Sequence, residues 1–440
     1  MTAHKHLKAR IRARMHRTGE SYMTARHIVL SARPGNTSDG TADAALDLGG
    51  VTPEAATLRV LLTAVGATAP HTGQPWSEAM LFGLTGGVGV AVHTFRYERD
   101  DVSTLFVGAR RPDIADGMVA GLDRLGIAHT VHETAGARTA ATQLRGALTA
   151  YGPVAAWVDA ATLGTRGMPA SWEGGAYHVL AVLGVDDDAG TATLADLTAA
   201  PVVVASEQLD AARARIRKQR HRVLAVTAVP DEDVGLDAAV RDAIEACHAT
   251  LTGGRARAMR IDALDDLAAR MVGDGRDGWA QMFPPGRHLW TALTSLHLFV
   301  EHYGTGRGLS RPLYAAFLRE VASATGVRGA DEAAEHYDDL GRQWRALAVA
   351  ALPDGIDLLA QARRLQDERA ALYAASGAGA VQRLSAIWQR LDALGAHAAD
   401  AFPLDADGAA GLRAELARRM RLIAAAERDA ATLLERVADG

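Results

Sequence analysis

The run Tyr177-His178-Val179-Leu180-Ala181-Val182-Leu183-Gly184-Val185-Asp186 is apolar, Val-rich and too short to be a buried helix of ordinary length. Gly174-Gly175 opens it and Asp186–Gly190 closes it, and a second short run, Thr191–Asp196, comes at once after the turn. The pattern predicts two antiparallel strands joined by a tight turn. It sets His178 at the start of one strand and Asp196 at the end of the next, within hydrogen-bond reach of each other. An aspartate that orients an imidazole fixes its tautomer and raises its basicity. A lone histidine on a strand is also a common structural residue, so the spacing alone leaves both roles open.

Val154–Val158 and Val223–Val229 have the same texture, short and rich in Val and Ala with Gly, Pro or Asp at their ends. Asp113–Leu125 and Arg138–Tyr151 carry helical spacing. Mixed helices and strands over residues 50–230 predict an α+β domain rather than a strictly alternating βαβ fold. With 48% hydrophobic residues in 440, the chain has enough apolar material for a sizeable core.

The remaining segments differ in character. Residues 1–33 hold eight Lys/Arg and one acid, Glu20, with Leu7, Ile11 and Met15 spaced by four. This predicts a basic helical arm: a solvated arm, a docking helix for a partner such as an acidic carrier protein, or a contact for phosphates. Residues 34–49, opening Arg33-Pro34-Gly35-Asn36, predict a linker. Residues 236–352 predict an all-α domain, interrupted at Phe283-Pro284-Pro285-Gly286 and Gly304-Thr305-Gly306-Arg307-Gly308. Residues 356–438 predict a helical hairpin, broken near Ser376–Gly379 and at Phe402-Pro403. Its Leu358, Leu359, Leu365, Leu391 and Leu394 bury one another or a second copy in a homodimer.

Several classes are excluded. One cysteine, Cys247, leaves no intramolecular disulfide and no cysteine-rich zinc site. It lies in a helical pattern, Ile244–His248, that suits a small buried residue. No metal or cofactor motif is present. A net charge of −5 argues against whole-chain attraction to nucleic acid or acidic membranes. No apolar run reaches the ~18 residues of a membrane span. The basic N-terminus lacks the apolar stretch of a secretory leader, so the expected location is cytoplasmic.

Two loops are candidate binding elements. Trp76-Ser77-Glu78-Ala79-Met80-Leu81-Phe82-Gly83-Leu84-Thr85-Gly86-Gly87-Val88-Gly89 holds four glycines. It suits an anion or a thioester arm, with Trp76, Glu78, Gly86 and Gly87 as substrate-binding candidates, or else a tight core turn. It is not a phosphate loop, because no Gly-Lys-Ser/Thr comes after it. Around Gly304–Gly308, the residues Glu301, His302, Tyr303, Arg307 and Arg311 suit a pocket lining, with Arg307 as the binding candidate, or helix caps and surface pairs.

Gly174-Gly175-x-x-His178-Val179-Leu180 with Ala195-Asp196 resembles the His/Asp half of papain-like cysteine peptidases. A longer set of pieces resembles the BtrH family of butirosin-type biosynthesis over residues 50–345. These are Ala56–Leu62, Trp76–Gly83, Leu125-Gly126-Ile127, Gly152-Pro153-Val154, the His178/Asp196 pair, Gly304–Gly308, Arg311-Pro312-Leu313-Tyr314 and Phe317-Leu318. The resemblance implies a papain-related fold and acyl transfer, an aminoacyl chain passing from a carrier-protein thioester to a small amine. The family's usual cysteine falls in register with Pro53, after Thr52, at the start of the first helix. Three outcomes are open: His178 acts as base on a directly attacking amine; a threonine, Thr52 or Thr57, serves as nucleophile; or catalysis is lost and the chain binds a ligand, a partner protein or, through its basic arm, nucleic acid.

Overall fold

The structure is a computed structural model that describes residues 46, 48–97, 102–108, 114–230, 235–254 and 256–439. The expected basic arm at 1–33, the linker through residue 45 and Asp113 lie outside the described residues. Residues 47–440 form one compact unit.

Its centre is a six-stranded sheet in the order β3-β8-β4-β5-β6-β7, with every neighbouring pair antiparallel. The strands are β3 (Ala128–His132), β4 (Val154–Asp159), β5 (Tyr177–Asp186), β6 (Thr191–Ala195), β7 (Val202–Ala205) and β8 (Val223–Ala228). All six residues of β4 are buried, as a central strand covered on both faces requires. On one face Leu144 and Leu148 of α4 (Ala137–Tyr151) and Leu209 and Ala212 of α6 (Ser206–Arg215) pack on Val154, Val158, Leu180 and Val182. The helix α1 (Pro53–Ala64) packs against β5 and β4.

The β5–β6 pairing brings the histidine and the aspartate to one place. Ala181 pairs with Ala195, so Asp196, one residue on, lies diagonal to His178. Diagonal neighbours in an antiparallel pair are within reach of longer side chains. Asp196 sits just past the end of β6, and the next residue, Leu197, takes a left-handed backbone with φ 48°. That conformation costs a branched side chain roughly 1–3 kcal/mol and turns the chain sharply after the aspartate.

A separate hairpin, β1 (Ala91–Tyr97) with β2 (Val102–Gly108), packs on α10 (Arg287–Glu301). Between lie α2 (Glu78–Leu84), α3 (Ile114–Arg124) and the short α5 (Ala160–Leu163). The all-α region comprises α7 (Leu236–Gly253), α8 (Asp262–Val272), α9 (Trp279–Met282), α10, α11 (Arg311–Ala324) and α12 (Ala330–Ala351). The C-terminal hairpin is α13 (Asp357–Ser376) and α14 (Val381–Asp400), joined by a 3-10 turn at Gly377–Ala380. Beyond it α15 (Ala406–Asp439) runs back to pack on α7, α8 and α12. Leu358, Leu359, Leu365 and Leu391 are buried within the chain, and Leu394 is half-buried. Among the described residues, no helix is long and apolar enough to cross a membrane.

Helices α11, α12 and α15 close on a fully buried ion pair. Arg311 donates to Glu427 from Nε at 2.9 Å and from Nη2 at 2.8 Å, and Trp344 Nε1 donates to the same carboxylate oxygen at 2.8 Å. Arg311 also donates to the carbonyls of Leu309 and Gly89, so its charge is spread over four acceptor contacts. Without those partners a buried guanidinium would cost several kcal/mol.

Candidate functional site

His178 and Asp196 meet as the spacing predicts. His178 Nε2 lies 2.5 Å from Asp196 Oδ1, and both side chains are almost wholly buried. Two residues the sequence did not single out complete the group. Arg166 Nη2 donates to Asp196 Oδ1 at 2.8 Å and also lies 2.9 Å from His178 Nε2. Tyr373 on α13 donates its hydroxyl to Asp196 Oδ2 at 2.5 Å, and Arg166 stacks over the Tyr373 ring at 4.6 Å. The carboxylate therefore has three donors, from the sheet, from the Gly164–Gly167 loop and from the C-terminal hairpin.

Two contacts at Nε2 pull the histidine tautomer in opposite directions. Arg166 is always a donor, and its N–H at 2.9 Å favours a lone pair on Nε2, while the Asp196 carboxylate at 2.5 Å favours a proton there. The shorter, charged contact favours the Nε2–H tautomer. In the neutral ring Nδ1 then holds the lone pair, and it has no hydrogen-bond partner among the described residues. Burial lowers the His178 pKa below the ordinary imidazole value; Asp196 opposes that and Arg166 adds to it. Burial alone would raise Asp196, but the charges of Arg166 and His178 and the hydrogen bonds hold it well below the usual carboxylate range. Tyr373 is raised by burial and by the adjacent carboxylate. At neutral pH the group is a neutral imidazole beside an ionised carboxylate.

No thiol stands beside it among the described residues. Pro53, the first residue of α1, borders a gap of about 10 Å³ together with Thr57, Val179 and Asp196. That space admits no more than about one water. Cys247 is fully buried on α7, and its Sγ donates to the Val88 carbonyl at 3.3 Å.

Thr52 occupies the N-cap position, but its side chain does not cap the helix. Its hydroxyl donates to Glu78 Oε1 at 3.0 Å, and the same carboxylate accepts from the backbone N–H of Val51 and Thr52 at 2.9 and 2.7 Å. Glu78 is thus the anion on the positive end of α1, a structural use of a residue expected to bind substrate. The Thr52 hydroxyl is therefore engaged by Glu78 and not by His178. Thr57, not Thr52, lines the gap with Asp196.

The glycine loop also serves packing. A Cβ on Gly83 would come 2.2 Å from the Phe317 ring, and one on Gly87 would come 2.4 Å from Tyr314. Helix α11 lies directly on these glycines, and Gly87 has φ 61°. Gly86 and Gly87 are buried, and their N–H groups donate to the carbonyls of Gly83 and Phe82 at 2.8 and 3.1 Å. Trp76 is buried with its ring edge toward His71.

Arg307 does face a pocket. A cavity of about 300 Å³ is bounded by Gly50 and Val51, by Arg166 and Leu197, by Glu301–Tyr303 and Arg307, and by Arg369, Tyr373 and Trp388. The dyad's clamp, Arg166 and Tyr373, forms part of its wall. Arg307 has φ 70° and ψ 158°, a region nearly restricted to glycine, and Leu309 and Ser310 also have positive φ. Arg369 is buried; its guanidinium lies 4.0 Å over the Trp388 ring, and it forms no hydrogen bond or ion pair with any described residue. Burial and the charge of Arg166 pull its pKa down to about 10.

His297, His302 and Asp367 are the one group of metal-ligand type among the described residues, with ligand atoms within 4.8 Å of one another. They are engaged as a hydrogen-bonded bridge from α10 to α13. His297 Nδ1 meets Gln366 Oε1 at 2.7 Å, and His302 Nε2 meets Asp367 Oδ1 at 2.8 Å.

Sequence reasoning missed Arg166, Tyr373, Arg369 and Trp388. The available signals were slight: Arg166 sits between two glycines of positive φ, and Arg369 and Tyr373 are one turn apart on an Ala-rich helix.

An antiparallel sheet carrying a buried His–Asp pair beside a helix N-terminus, closed by a helical region, defines an α+β chain. Residues 57–197 match the family described as butirosin biosynthesis protein H, N-terminal, and residues 207–376 match a domain of unknown function, DUF4872. Residues 57–197 thus form a BtrH-like N-terminal domain, followed by DUF4872. No curated protein matches it.

Proposed function

We propose that the chain is an acyl-transfer protein of natural-product biosynthesis in which His178 acts as a general base and no protein nucleophile takes part. The observation that carries this is the His178–Asp196 pair itself: Nε2 at 2.5 Å from the carboxylate, a pKa lowered by burial, and Nδ1 without a hydrogen-bond partner among the described residues. An amine attacks the carbonyl carbon of a carrier-protein thioester. The C–N bond forms, the C–S bond breaks, and the amine proton passes to Nδ1 and on to the departing thiolate. A thioester is activated enough for direct aminolysis. Pro53 in the cysteine's register supports a route without an acyl-enzyme. A papain-related fold, a cytoplasmic location and an acyl-carrier partner go with this reading.

The test uses an acyl N-acetylcysteamine thioester with hydroxylamine as acceptor. Removing a general base costs about 10²–10⁴ in rate, so His178→Ala should fall by that factor while intact mass shows no acylated chain. Turnover that survives His178→Ala, or a covalent acyl adduct, sinks the proposal.

A second reading, a binding protein without catalysis, is favoured by the saturation of Asp196. Three donors on one carboxylate also make a bolt between the sheet and α13. That reading expects no turnover in the wild type, a lower melting temperature in Tyr373→Phe, and a partner protein or nucleic acid bound through residues 1–33. Nucleic-acid affinity insensitive to salt, or retained without those residues, would remove its nucleic-acid form.

A further inference from the structure

Arg369 is the one cationic side chain on the cavity wall with no counter-charge among the described residues. Arg166 is matched by Asp196 at 2.8 Å. Arg307 is exposed, and its charge acts on Asp367. Glu301, the one acid on the wall, accepts from Gly308 N at 3.2 Å and lies 3.6 Å from Arg345. Arg369 is only 8% exposed, and its Nη1 is sealed from solvent without an acceptor. Arginines are almost never buried unless paired. The ring of Trp388 offsets part of the charge but accepts no hydrogen bond. A guanidinium without an acceptor on the wall of a cavity of ligand size, beside an aromatic face, matches an oxyanion carried on an apolar or planar body.

We propose that this cavity binds a small organic oxyanion, a carboxylate or a phosphate, through Arg369, with the body of the ligand against Trp388 and Tyr303. The proposal goes beyond acyl transfer and stands without it, since binding is read directly and needs no turnover. It excludes a polycationic small molecule from the same cavity.

The experiment titrates the full chain with benzoate, with inorganic phosphate and with spermidine, following heat and tryptophan fluorescence. Saturable binding of benzoate or phosphate is expected, competed by the other anion where both bind; benzoate alone assigns a carboxylate, phosphate alone a phosphate. Arg369→Met keeps the stem and removes the fork, and should weaken that binding by about tenfold or more. Its melting temperature without ligand should equal or exceed that of the wild type, because an uncompensated buried charge is gone. Arg369→Lys keeps the charge, should fold, and should bind the anion more weakly than the wild type; it carries the test if Arg369→Met does not fold. His178→Ala should leave anion binding intact, so failure of catalysis and failure of this proposal are told apart. No binding of either anion to the wild type, binding unchanged in both Arg369 variants, or tighter binding of spermidine would overturn it.

Discussion

Replacing Pro53 with cysteine asks whether the helix start still faces the base. Position 53 is the first residue of α1 and shares a gap with Asp196. Losing proline's restriction of the unfolded chain costs about 0.4–1 kcal/mol, so the variant should stay folded. A free thiol has a pKa near about 8.5 and is ~3% thiolate at pH 7; a helix N-terminus and a neighbouring imidazolium lower it to about 7.5 or below. Two effects compete here. The amide dipoles of α1 and His178 favour the thiolate, while the Glu78 carboxylate on Val51 and Thr52 N–H opposes it. The shift should therefore sit at the weak end, near about 7.5, which gives ~24% thiolate and roughly an eightfold rise at pH 7. The assay is the pH profile of iodoacetamide alkylation, read by intact mass. Wild type is the blank, because Cys247 is fully buried. Adding His178→Ala should move the inflection back up. An inflection at about 8.5 that ignores His178→Ala would show that residue 53 does not face the base, and the cysteine register would be wrong.

Glu427→Ala strands Arg311 in the core and should cost about 3–5 kcal/mol in urea unfolding; a cost under about 1 kcal/mol would mean that the pair is not desolvated as its zero exposure implies. Gly83→Ala should destabilise by about 1–3 kcal/mol, and a double-mutant cycle with Phe317→Ala should show a coupling of about 0.5 kcal/mol or more; additivity would refute the close approach. His178 and His297 have pKa values depressed by burial, His297 to about 4. Below about 6.5 the unfolded chain gains protons that the native chain refuses, so stability should be flat above that pH and fall as pH drops through it; chemical denaturation at stepped pH checks this, and stability that rises on acidification contradicts it. Tyr373→Phe removes a donor from Asp196 and should cost about 1.5–3 kcal/mol, seen as a lower urea midpoint.

How legible each strand was in the sequence depends on its position in the sheet. The four strands evident there, β4, β5, β6 and β8, are the four interior ones. Interior strands must be apolar on both faces, and that writes a run of Val, Leu and Ala. The strands not evident, β3 and β7, are the two edges. Ala128–His132 carries two histidines and is largely half-exposed, and Val202–Ala205 alternates buried and exposed over four residues. Edge strands are commonly short, with polar residues, which erases the same signal. The β1–β2 hairpin escapes notice because His93, Thr94 and Arg96 dilute its alternation. The site divides in the same way. His178 and Asp196 are joined by one tight turn, so their meeting is local. Tyr373 is 177 residues from Asp196, and nothing short of the packed hairpin brings it there. The glycines at 83 and 87 were legible as glycines with a purpose. Whether that purpose was a ligand or a helix depended on Phe317 and Tyr314, which lie far along the chain on α11.

The two matched families meet at a boundary the fold does not respect. The first match ends at residue 197 and the second begins at 207. Yet β8, Val223–Ala228, lies between β3 and β4 in the middle of the sheet, and α6 covers the sheet from within the second match. Residues 57–197 alone would leave β4 with an open edge and Val154, Val158 and Leu148 uncovered on one side, an exposed edge of the kind that aggregates. The dependence reaches the chemistry as well. Tyr373 and Arg369 both belong to the second match, and Tyr373 supplies one of the three hydrogen bonds on Asp196. The pairing of these two families in one chain therefore has a physical basis: the second completes the sheet and contributes a donor to the carboxylate that holds His178. A truncation at residue 200 should accordingly be insoluble or molten. Recovery of a folded, monomeric 47–200 fragment by near-UV dichroism would break this argument.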